Sequence, residues 1–436
     1  MNNIKNYRWG IFAVIGLIYI LACFHRMSPT VIVRDLATSF NSSAVMLGFI
    51  ASIYFYLYSA SQPVVGFFTD RLGPRKVITI STILASLGCL IFGTAPNIYG
   101  AILGRALIGM GASGVFIPAL KVFASWYRPN EFTTLTGAMI GISGISYIAA
   151  ALPLACSVSL FGWRLTHVGI AFVSFSLAIL CWIIVRDSPR ERGFRAIDIA
   201  DGATLKRPSF VNLNINNRSK SGPLHILRRL DFWMLFGTMF FMGGVSFSFQ
   251  GLWAIPYLMD VHGLDRIDAG ELLTILPLGY VISGPVTGIL ADRFPVRKQT
   301  ILFCSIGLGV AAWTLLLIGG NFSYSIVIVA FFLSGLSAGG VLPVLFSIIK
   351  DIFPERIMGT VLGLVNPSAF VGAILYQPLS GIIFERSGKL ASGPYADAAY
   401  QRLFLFFTLS YLLALAAVWM ISNIRKYRNP LERNLP

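Results

Sequence analysis

The feature that most constrains this chain is the recurrence of apolar stretches of about 20 or more residues, the length that crosses a bilayer as a helix. They lie at 9–34, 44–68, 76–95, 99–126, 132–157, 163–186, 232–259, 268–291, 298–319, 323–350, 356–384 and 400–424. This pattern predicts an all-α integral membrane protein with twelve transmembrane helices. Only 12% of the residues are charged, whereas soluble domains carry about 25%. A soluble multi-domain enzyme is therefore excluded.

The basic residues are distributed unevenly over the loops between these stretches. With the N-terminus inside, the inner segments hold 25 of the 34 Lys and Arg residues. The outer segments hold six: Arg34, Arg164, Arg266, Arg386, Lys389 and Arg402. This asymmetry follows the positive-inside rule. It predicts a multi-pass protein of the cell (inner) membrane with both termini in the cytoplasm, and it explains the net charge of +16 without a nucleic-acid partner.

The longest polar stretch, 187–231, divides the apolar stretches six and six. It predicts an N-terminal six-helix bundle at 1–186, a cytoplasmic linker at 187–231 and a C-terminal six-helix bundle at 232–436. The basic linker is interpreted as a solvated connection, with lipid-headgroup binding or regulation as the alternative.

Residues that would carry catalysis or bind a metal do not cluster in this sequence. The five cysteines lie inside apolar runs without metal-ligand or redox spacing, and the four histidines are scattered. No nucleophile and base stand together. The sequence therefore predicts a protein that is not an enzyme and that has no metal and no cofactor.

A short motif occurs once in each half of the chain. The first copy reads Gly66-Phe-Phe-Thr-Asp70-Arg71-Leu-Gly73-Pro-Arg75-Lys76, and the second reads Gly288-Ile-Leu-Ala-Asp292-Arg293-Phe-Pro295-Val-Arg297-Lys298. The offset between the copies is 222 residues. Two parallel six-helix repeats with a substrate site between them, near the middle of the membrane, form a transporter architecture.

The first copy resembles the cytoplasmic signature loop of the major facilitator superfamily, and Arg105-x-x-x-Gly109 resembles the second motif of that family. The resemblance covers almost the whole chain. It implies two bundles that rock about a central cavity, which opens alternately to each side. It also implies gating roles for residues of both loops and of the fourth helix: Gly66, Asp70, Arg71, Gly73, Arg75, Arg105, Asp292 and Arg293.

The residues of the motif agree with a gating role. Gly66 allows close helix approach, and Asp70 lies where a carboxylate could meet a helix N-terminus or an arginine. The second copy has Pro295 in place of Gly73, which indicates a weaker contact. The alternative is that these charges only set the topology.

Three basic residues lie inside the predicted spans: Arg26, Arg105 and Lys121. Charges inside a membrane are costly and are functional candidates by default. All 18 carboxylates lie in loops or at span ends, so a cavity with Arg26 and Lys121 favours a ligand with a negative group. Arginine can hold a carboxylate or phosphate with two hydrogen bonds. Snorkelling to the cytoplasm is the alternative for Lys121, whereas Arg105 is predicted to brace the N-terminal bundle.

Polar and aromatic residues are predicted to complete the cavity. Tyr54 and Tyr58 share one face of the second span, while Gln250, Trp253 and Tyr257 follow the spacing of one helical face on the seventh. The eighth span offers Tyr280 and the eleventh offers Asn366. Helix packing is the alternative role for each single aromatic residue.

These observations predict a secondary transporter that imports a small anionic or zwitterionic solute, such as an organic acid, a sugar phosphate or an amino acid. Arg26 followed by Ser28 and Pro29 resembles the organic-anion and sugar-phosphate branches of the family. The family resemblance implies coupling to protons. The sequence leaves the proton carrier unidentified, with Asp35 and His25 as the closest candidates. The expected partners are the substrate and membrane lipids, and the chain is expected to be a monomer. The alternatives are an efflux transporter and a transporter-like solute sensor.

Overall fold

The computed structural model describes residues 2–41, 44–149, 152–193, 226–319, 323–387 and 397–432, and these residues are almost entirely helical, with no strand among them. The first half forms α1 (Asn2–Phe40), α2 (Ala44–Leu72), α3 (Pro74–Thr94), α4 (Ile98–Trp126), α5 (Phe132–Ala149) and α6 (Leu152–Ile184). A short 3-10 turn, Pro189–Arg192, follows.

The second half contains more helices because several spans are interrupted. It forms α7 (Leu230–Ser248), a π turn (Phe249–Trp253), α8 (Ala254–His262), α9 (Arg266–Leu273), α10 (Ile275–Arg293), α11 (Lys298–Gly319), α12 (Tyr324–Ile352), α13 (Met358–Val365), α14 (Ser368–Ser387) and α15 (Asp397–Glu432). The π turn joins α7 to α8 within one span, and α13 with α14 forms another.

Ten segments of the described residues are long and apolar enough to cross a membrane. They are Asn6–Arg26, Pro74–Thr94, Ile98–Trp126, Cys156–Ile184, Leu230–His262, Asp268–Arg293, Lys298–Gly319, Tyr324–Ile352, Glu355–Phe384 and Asp397–Ile421. Helix α5 adds the shorter apolar helix Phe132–Ser146, and α2 has 29 residues. These helices occupy the twelve predicted positions, which confirms the all-α membrane fold.

Local sequence signals explain several helix ends and kinks. Gly73 adopts a φ of 88°, which favours glycine, and the proline that follows it starts α3. The side chain of Asn97 caps α4 by accepting a hydrogen bond from the Gly100 N–H at 2.9 Å. Helix α4 is interrupted at Gly114, near Pro118. Gly162, with a φ of 74°, interrupts α6 between the predicted fifth and sixth spans.

The helices pack mainly within each half, and two pairs of helices make the most extensive contacts between the halves. In the first half α4 packs against α2 and α3, and in the second half α12 packs against α10 and α11. Between the halves, α2 packs against α13 and α5 packs against α10. These two contacts are related by the sequence repeat, because α2 and α10 carry the two copies of the motif. We call the end of the molecule that carries both copies the motif end.

The predicted linker falls largely outside the described residues, at 194–225. The division into 1–186, 187–231 and 232–436 therefore stays a prediction. We call helices α1–α6 the N bundle and helices α7–α15 the C bundle.

Candidate functional site

Asp70 caps the N-terminus of a helix in the other bundle. Its Oδ1 accepts a hydrogen bond from the Gly359 N–H at 3.0 Å. Its Oδ2 accepts from the Thr360 N–H and from the Thr360 hydroxyl, each at 2.7 Å. Gly359 and Thr360 belong to the first turn of α13, where N–H groups have no helical partner and the helix dipole is positive. This contact, the first cap, joins the two bundles at the motif end.

Asp70 also forms an ion pair within its own bundle. Lys121 Nζ on α4 lies 2.7 Å from Asp70 Oδ1 and donates to the Thr69 carbonyl oxygen at 3.2 Å. Both charged side chains are largely buried, with 13% and 9% of their surfaces exposed. The sequence-based interpretation put Lys121 at the ligand. The structure instead engages its ammonium with Asp70, because α4 packs directly beside α2 at this end.

Gly66 allows the close approach that the first cap requires. A Cβ at Gly66 would lie 2.3 Å from the Gly359 carbonyl oxygen and 3.0 Å from the Gly363 Cα. Both atoms belong to the α13 backbone, which cannot move aside as a flexible side chain can. Helices α2 and α13 therefore meet backbone to backbone one turn away from Asp70.

The other residues of the first motif copy brace the N bundle. The Arg75 N–H donates to Asp187 Oδ1 at 2.6 Å, and its guanidinium donates to the Trp182 carbonyl oxygen at 2.6 and 3.1 Å. Gly73 has a φ of 88°, which favours glycine, and a Cβ there would lie 2.1 Å from Asp187 Oδ2. The Arg71 guanidinium lies 4.2 Å from the centre of the Phe67 ring. These contacts fix the loop to the end of α6.

The second motif copy repeats the cap with fewer bonds. Asp292 Oδ2 accepts a hydrogen bond from the Thr134 N–H at 2.6 Å, in the first turn of α5. A Cβ at Gly288 would lie 2.6 Å from the Thr133 carbonyl oxygen, which reproduces the contact of Gly66 with α13. Arg293 follows at the end of α10 and is exposed. We call this contact the second cap.

Two further hydrogen bonds cross between the bundles at the motif end. The Ser125 hydroxyl donates to Glu355 Oε1 at 3.3 Å, and the Thr133 hydroxyl donates to Ser347 Oγ at 2.8 Å. Together with both caps, these bonds close the two bundles against each other at this end.

Arg26 lies where the two bundles meet, away from the caps. Its guanidinium carbon is 5.2 Å from the centre of the Tyr58 ring on α2 and 5.8 Å from the centre of the Phe370 ring on α14. Both distances are in the range of cation–π contacts. Tyr280, the predicted lining residue of α10, is half-buried. The structure therefore brings together a cation and aromatic side chains from both bundles.

A glutamine that the sequence patterns did not single out connects the bundles beside this site. Gln62 is fully buried, and its Oε1 accepts a hydrogen bond from Asn366 Nδ2 at 2.8 Å. Gln62 follows Tyr58 by one helical turn on α2, so the spacing of Tyr54 and Tyr58 could have identified it. Asn366, which was predicted to line the cavity, lies opposite Gln62 on the C bundle.

Arg105 lies inside the N bundle. It is 1% exposed, and its Nη1 donates to the His25 carbonyl oxygen at 2.6 Å. Its guanidinium also lies 4.9 Å from the centre of the Tyr54 ring, and the Tyr54 hydroxyl donates to the Ala22 carbonyl oxygen at 3.0 Å. Arg105 thus connects α4 to α1 and α2, the bracing position that the sequence indicated.

The structure brings Trp253 and Tyr257 into one aromatic cluster, because the ring centres of their partners Phe384 and Tyr400 lie 4.9 Å apart, and Gln250 does not belong to it. Trp253 stacks on Phe384 with ring centres 3.7 Å apart. Tyr257 is fully buried and packs against Tyr400 of α15, whereas Gln250 is exposed. The prediction assumed a continuous α-helix. The π turn at Phe249–Trp253 changes the angle per residue, so Gln250 is out of α-helical phase with Trp253 and Tyr257.

The proton-carrier candidates lie on α1. His25 is buried next to Arg26 in sequence, and Asp35 is half-buried near the end of the helix. Among the described residues, no group of three His, Cys, Asp or Glu side chains could hold a metal ion.

The paired bundles, joined by helix caps and holding an arginine between them, define a multi-span membrane transporter. The model of the Major Facilitator Superfamily matches residues 15–253 and 235–435. The chain belongs to this family. Since its members are transporters, the prediction that the protein is not an enzyme is confirmed.

Individual relatives are distant but cover most of the chain. The gentisate transporter of Corynebacterium glutamicum is 26% identical over 80% of this chain and 75% of its own length. The hexuronate transporter of Escherichia coli K12 is 20% identical over 97% and 95%. The structure of the proton:xylose symporter XylE has a TM-score of 0.72 at 15% identity, covering 95% of this chain and 96% of its own. At that identity it shows the shared fold alone.

Proposed function

We propose that this protein is a secondary active transporter that moves small organic anions by alternating access. The observation that carries the proposal is the position of Arg26, beside Tyr58 of the N bundle and Phe370 of the C bundle. A guanidinium there would hold a carboxylate through two parallel hydrogen bonds. A ligand at this point contacts both bundles, so its binding is coupled to their relative movement.

The two caps support alternating access. Each cap is a carboxylate of one bundle on the N-terminus of a helix in the other, and both close the motif end. Opening that end requires that both contacts break and that α2 separates from α13. We assign Asp70, Gly66 and Asp292 to this gate. We assign Lys121 to the first cap rather than to the ligand, since its ammonium is bound by Asp70.

The distribution of basic residues gives the orientation. We propose that the motif end and both termini lie in the cytoplasm, in the inner membrane, so that this conformation is closed towards the cytoplasm. A cysteine replacing the exposed Glu191 should then react only from the cytoplasm, and one replacing the exposed Asp265 only from outside. Labelling of the Glu191→Cys protein in intact cells would reverse this assignment.

The names of the relatives support the substrate class. Gentisate and hexuronate both carry a carboxylate, and such a group suits the Arg26 site. We propose import of an organic acid by a monomer surrounded by lipid, with the proton gradient as the energy source. His25 and Asp35 remain the proton-carrier candidates. A protonophore that collapses the gradient should then stop accumulation in proteoliposomes.

Substitutions of Arg26 test the proposal. In proteoliposomes supplied with a panel of organic acids, Arg26→Ala should abolish uptake. Its binding should weaken at least about a hundredfold, because each hydrogen bond to a charged group contributes about 1.5–3 kcal/mol. Arg26→Lys keeps the charge but loses the planar fork, so it should bind about tenfold more weakly than wild type.

The matched control is Arg190→Ala, which removes an exposed cation from the 3-10 turn outside both bundles. It should bind and transport like wild type. Wild-type affinity in purified Arg26→Ala would make Arg26 a structural residue and remove the main support for an anionic substrate. Binding by wild type without any uptake would favour a solute sensor over a transporter.

A further inference from the structure

The walls around Arg26 are flat and aromatic, and they come from both bundles. The Tyr58 ring stacks on Tyr54 with centres 5.7 Å apart, and the Phe370 ring stacks on Phe247 with centres 5.2 Å apart. Tyr58 and Phe370 meet edge to face across the bundle interface at 5.3 Å. Each ring close to the guanidinium is therefore supported from behind by a second ring, which fixes its orientation.

Such walls discriminate between organic acids by the shape and polarity of the part that is not the carboxylate. A planar ring packs against Tyr58 and Phe370 in the offset or edge-to-face geometries that aromatic groups prefer. A sugar acid carries several hydroxyl groups at the edge of its ring, and each one that is buried beside these apolar rings without a hydrogen-bond partner costs free energy. The surface beside the guanidinium therefore favours an aromatic acid over a sugar acid.

One buried donor lies a helical turn from Tyr58, on the side of the motif end. Gln62 is fully buried, and while its Oε1 is engaged by Asn366, its Nε2 has no hydrogen-bond partner among the described residues. A buried amide donor of this kind is costly unless an acceptor reaches it. Since Tyr58 and Gln62 are four residues apart on α2, their side chains share a face. A ligand against Tyr58 can thus present an oxygen to Gln62 Nε2.

We propose that the ligand of this transporter is an aromatic carboxylate that carries a hydroxyl group on its ring. The carboxylate binds Arg26, the ring packs against Tyr58 and Phe370, and the hydroxyl oxygen accepts a hydrogen bond from Gln62 Nε2. This inference rests on the proposed transport of organic anions and narrows it. Because the walls belong to opposite bundles, the ligand ring takes part in the contact that joins them.

The experiment measures binding to the purified full chain by calorimetry. The ligands are benzoate, 3-hydroxybenzoate, 4-hydroxybenzoate, cyclohexanecarboxylate, glucuronate and lactate. One of the hydroxybenzoates should bind at least about tenfold more tightly than glucuronate or lactate, and more tightly than benzoate. Cyclohexanecarboxylate, of similar size but without an aromatic face, should bind more weakly than benzoate.

Variants assign the contacts. Phe370→Leu should weaken the binding of hydroxybenzoate about tenfold, and Phe370→Tyr should restore it, since the aromatic wall returns. Phe175→Leu is the control, because Phe175 is exposed on α6. Gln62→Leu also removes the hydrogen bond to Asn366, so it can affect both ligands. It should weaken hydroxybenzoate more than benzoate, since only the former offers an oxygen to Nε2.

The outcomes separate the two levels of the proposal. If glucuronate or lactate binds through Arg26 as well as any benzoate does, the aromatic class is wrong and organic-anion transport stands. If no carboxylate binds wild type at all, the proposed function fails with it. If Gln62→Leu weakens benzoate and hydroxybenzoate equally, the hydroxyl contact is wrong while the aromatic walls remain.

Discussion

The first and second caps are contacts of the same kind between the two bundles, one in each repeat. In both, the aspartate of the motif accepts hydrogen bonds from the N-terminus of a helix in the other bundle. Asp70 accepts three bonds from α13 and pairs with Lys121, whereas Asp292 accepts one N–H from α5. The repeat thus preserves the position of the carboxylate and the close helix contact, but not the number of bonds that the carboxylate accepts.

Lys121 is one source of the difference between the first and second caps. Pro118 and Pro343 are equivalent positions 225 residues apart, so Phe346 stands in the C bundle where Lys121 stands in the N bundle. Phe346 packs edge to face against Phe116 and offers no charge to Asp292. From Pro295, the sequence predicted a weaker second cap. Phe346 supports the same prediction for a different reason, because it cannot form an ion pair with Asp292.

Replacing each aspartate by asparagine should have the largest effect on closure of the motif end and should show the difference between the two caps most clearly. Asp70→Asn loses the charge that the α13 N-terminus and Lys121 both bind, and it should destabilise the closed motif end by about 3 kcal/mol. Asp292→Asn should cost about 1 kcal/mol, since one hydrogen bond is affected. Closure is measured as disulfide formation in a Ser125→Cys, Glu355→Cys protein, whose native side chains are in hydrogen-bond contact.

For this measurement the exposed Cys156 and Cys304 are replaced by serine. Asp268→Asn, an exposed carboxylate on α9, is the control and should cross-link like the parent. Equal loss of cross-linking in Asp70→Asn and Asp292→Asn would mean that the two caps have the same strength despite their different contacts.

Adding one methyl group to the close helix contacts should have the next largest effect. Gly66→Ala puts a Cβ 2.3 Å from the Gly359 carbonyl oxygen, and the resulting overpacking should destabilise closure by about 2 kcal/mol. Gly288→Ala should have a smaller effect, since its Cβ would lie 2.6 Å from the Thr133 carbonyl oxygen. Gly307→Ala on α11 is the control, because a Cβ there meets nothing within 4 Å. Unchanged cross-linking in Gly66→Ala would show that α2 and α13 do not need this approach.

Lys121→Met should produce the smallest shift, about 1 kcal/mol against closure. The ion pair lies within one bundle, so it persists when the bundles separate, and only its extra value in the buried closed state is lost. Lys298→Met is the matched control, since Lys298 pairs with Asp351 at 2.7 Å within the C bundle. An effect of Lys121→Met as large as that of Asp70→Asn would make the lysine, rather than the helix N-terminus, the main partner of Asp70.

Sequence patterns predicted the features that depend on composition and local spacing. The spans follow from apolar length, and the contact of Asp70 with a neighbouring helix N-terminus was predicted from its place in the motif, at the end of a span and one turn after a glycine. Arg26 could be selected because a charge inside an apolar stretch is conspicuous. Gln62 was missed because an uncharged amide stands out less than a charge in an apolar stretch. Its spacing of four residues from Tyr58 could have identified it.

Features that depend on departures from the regular helix could not be predicted from apolar length and local spacing. The π turn at Phe249–Trp253 interrupts the regular helix of its span, and nothing in the apolar pattern marks it. Arg105 and Lys121 are sixteen residues apart, which puts them about 160° apart on a straight helix. Both nevertheless contact α2, at Tyr54 and Asp70. Helix α4 is interrupted at Gly114, between these two residues. The interruption changes the angle between their side chains, and the calculation for a straight helix does not include it.

The contact of Gly66 with α13 has a consequence for the entropy of closing. Surfaces that meet through long side chains must select one rotamer for each chain, which costs up to about 2 kcal/mol per side chain. Gly66, Gly359 and Gly363 have no rotamers, and the surfaces they form are already rigid as backbone. Closing here therefore immobilises very little. Under the proposed alternating access, the bundles can meet and separate without reordering the surface between them.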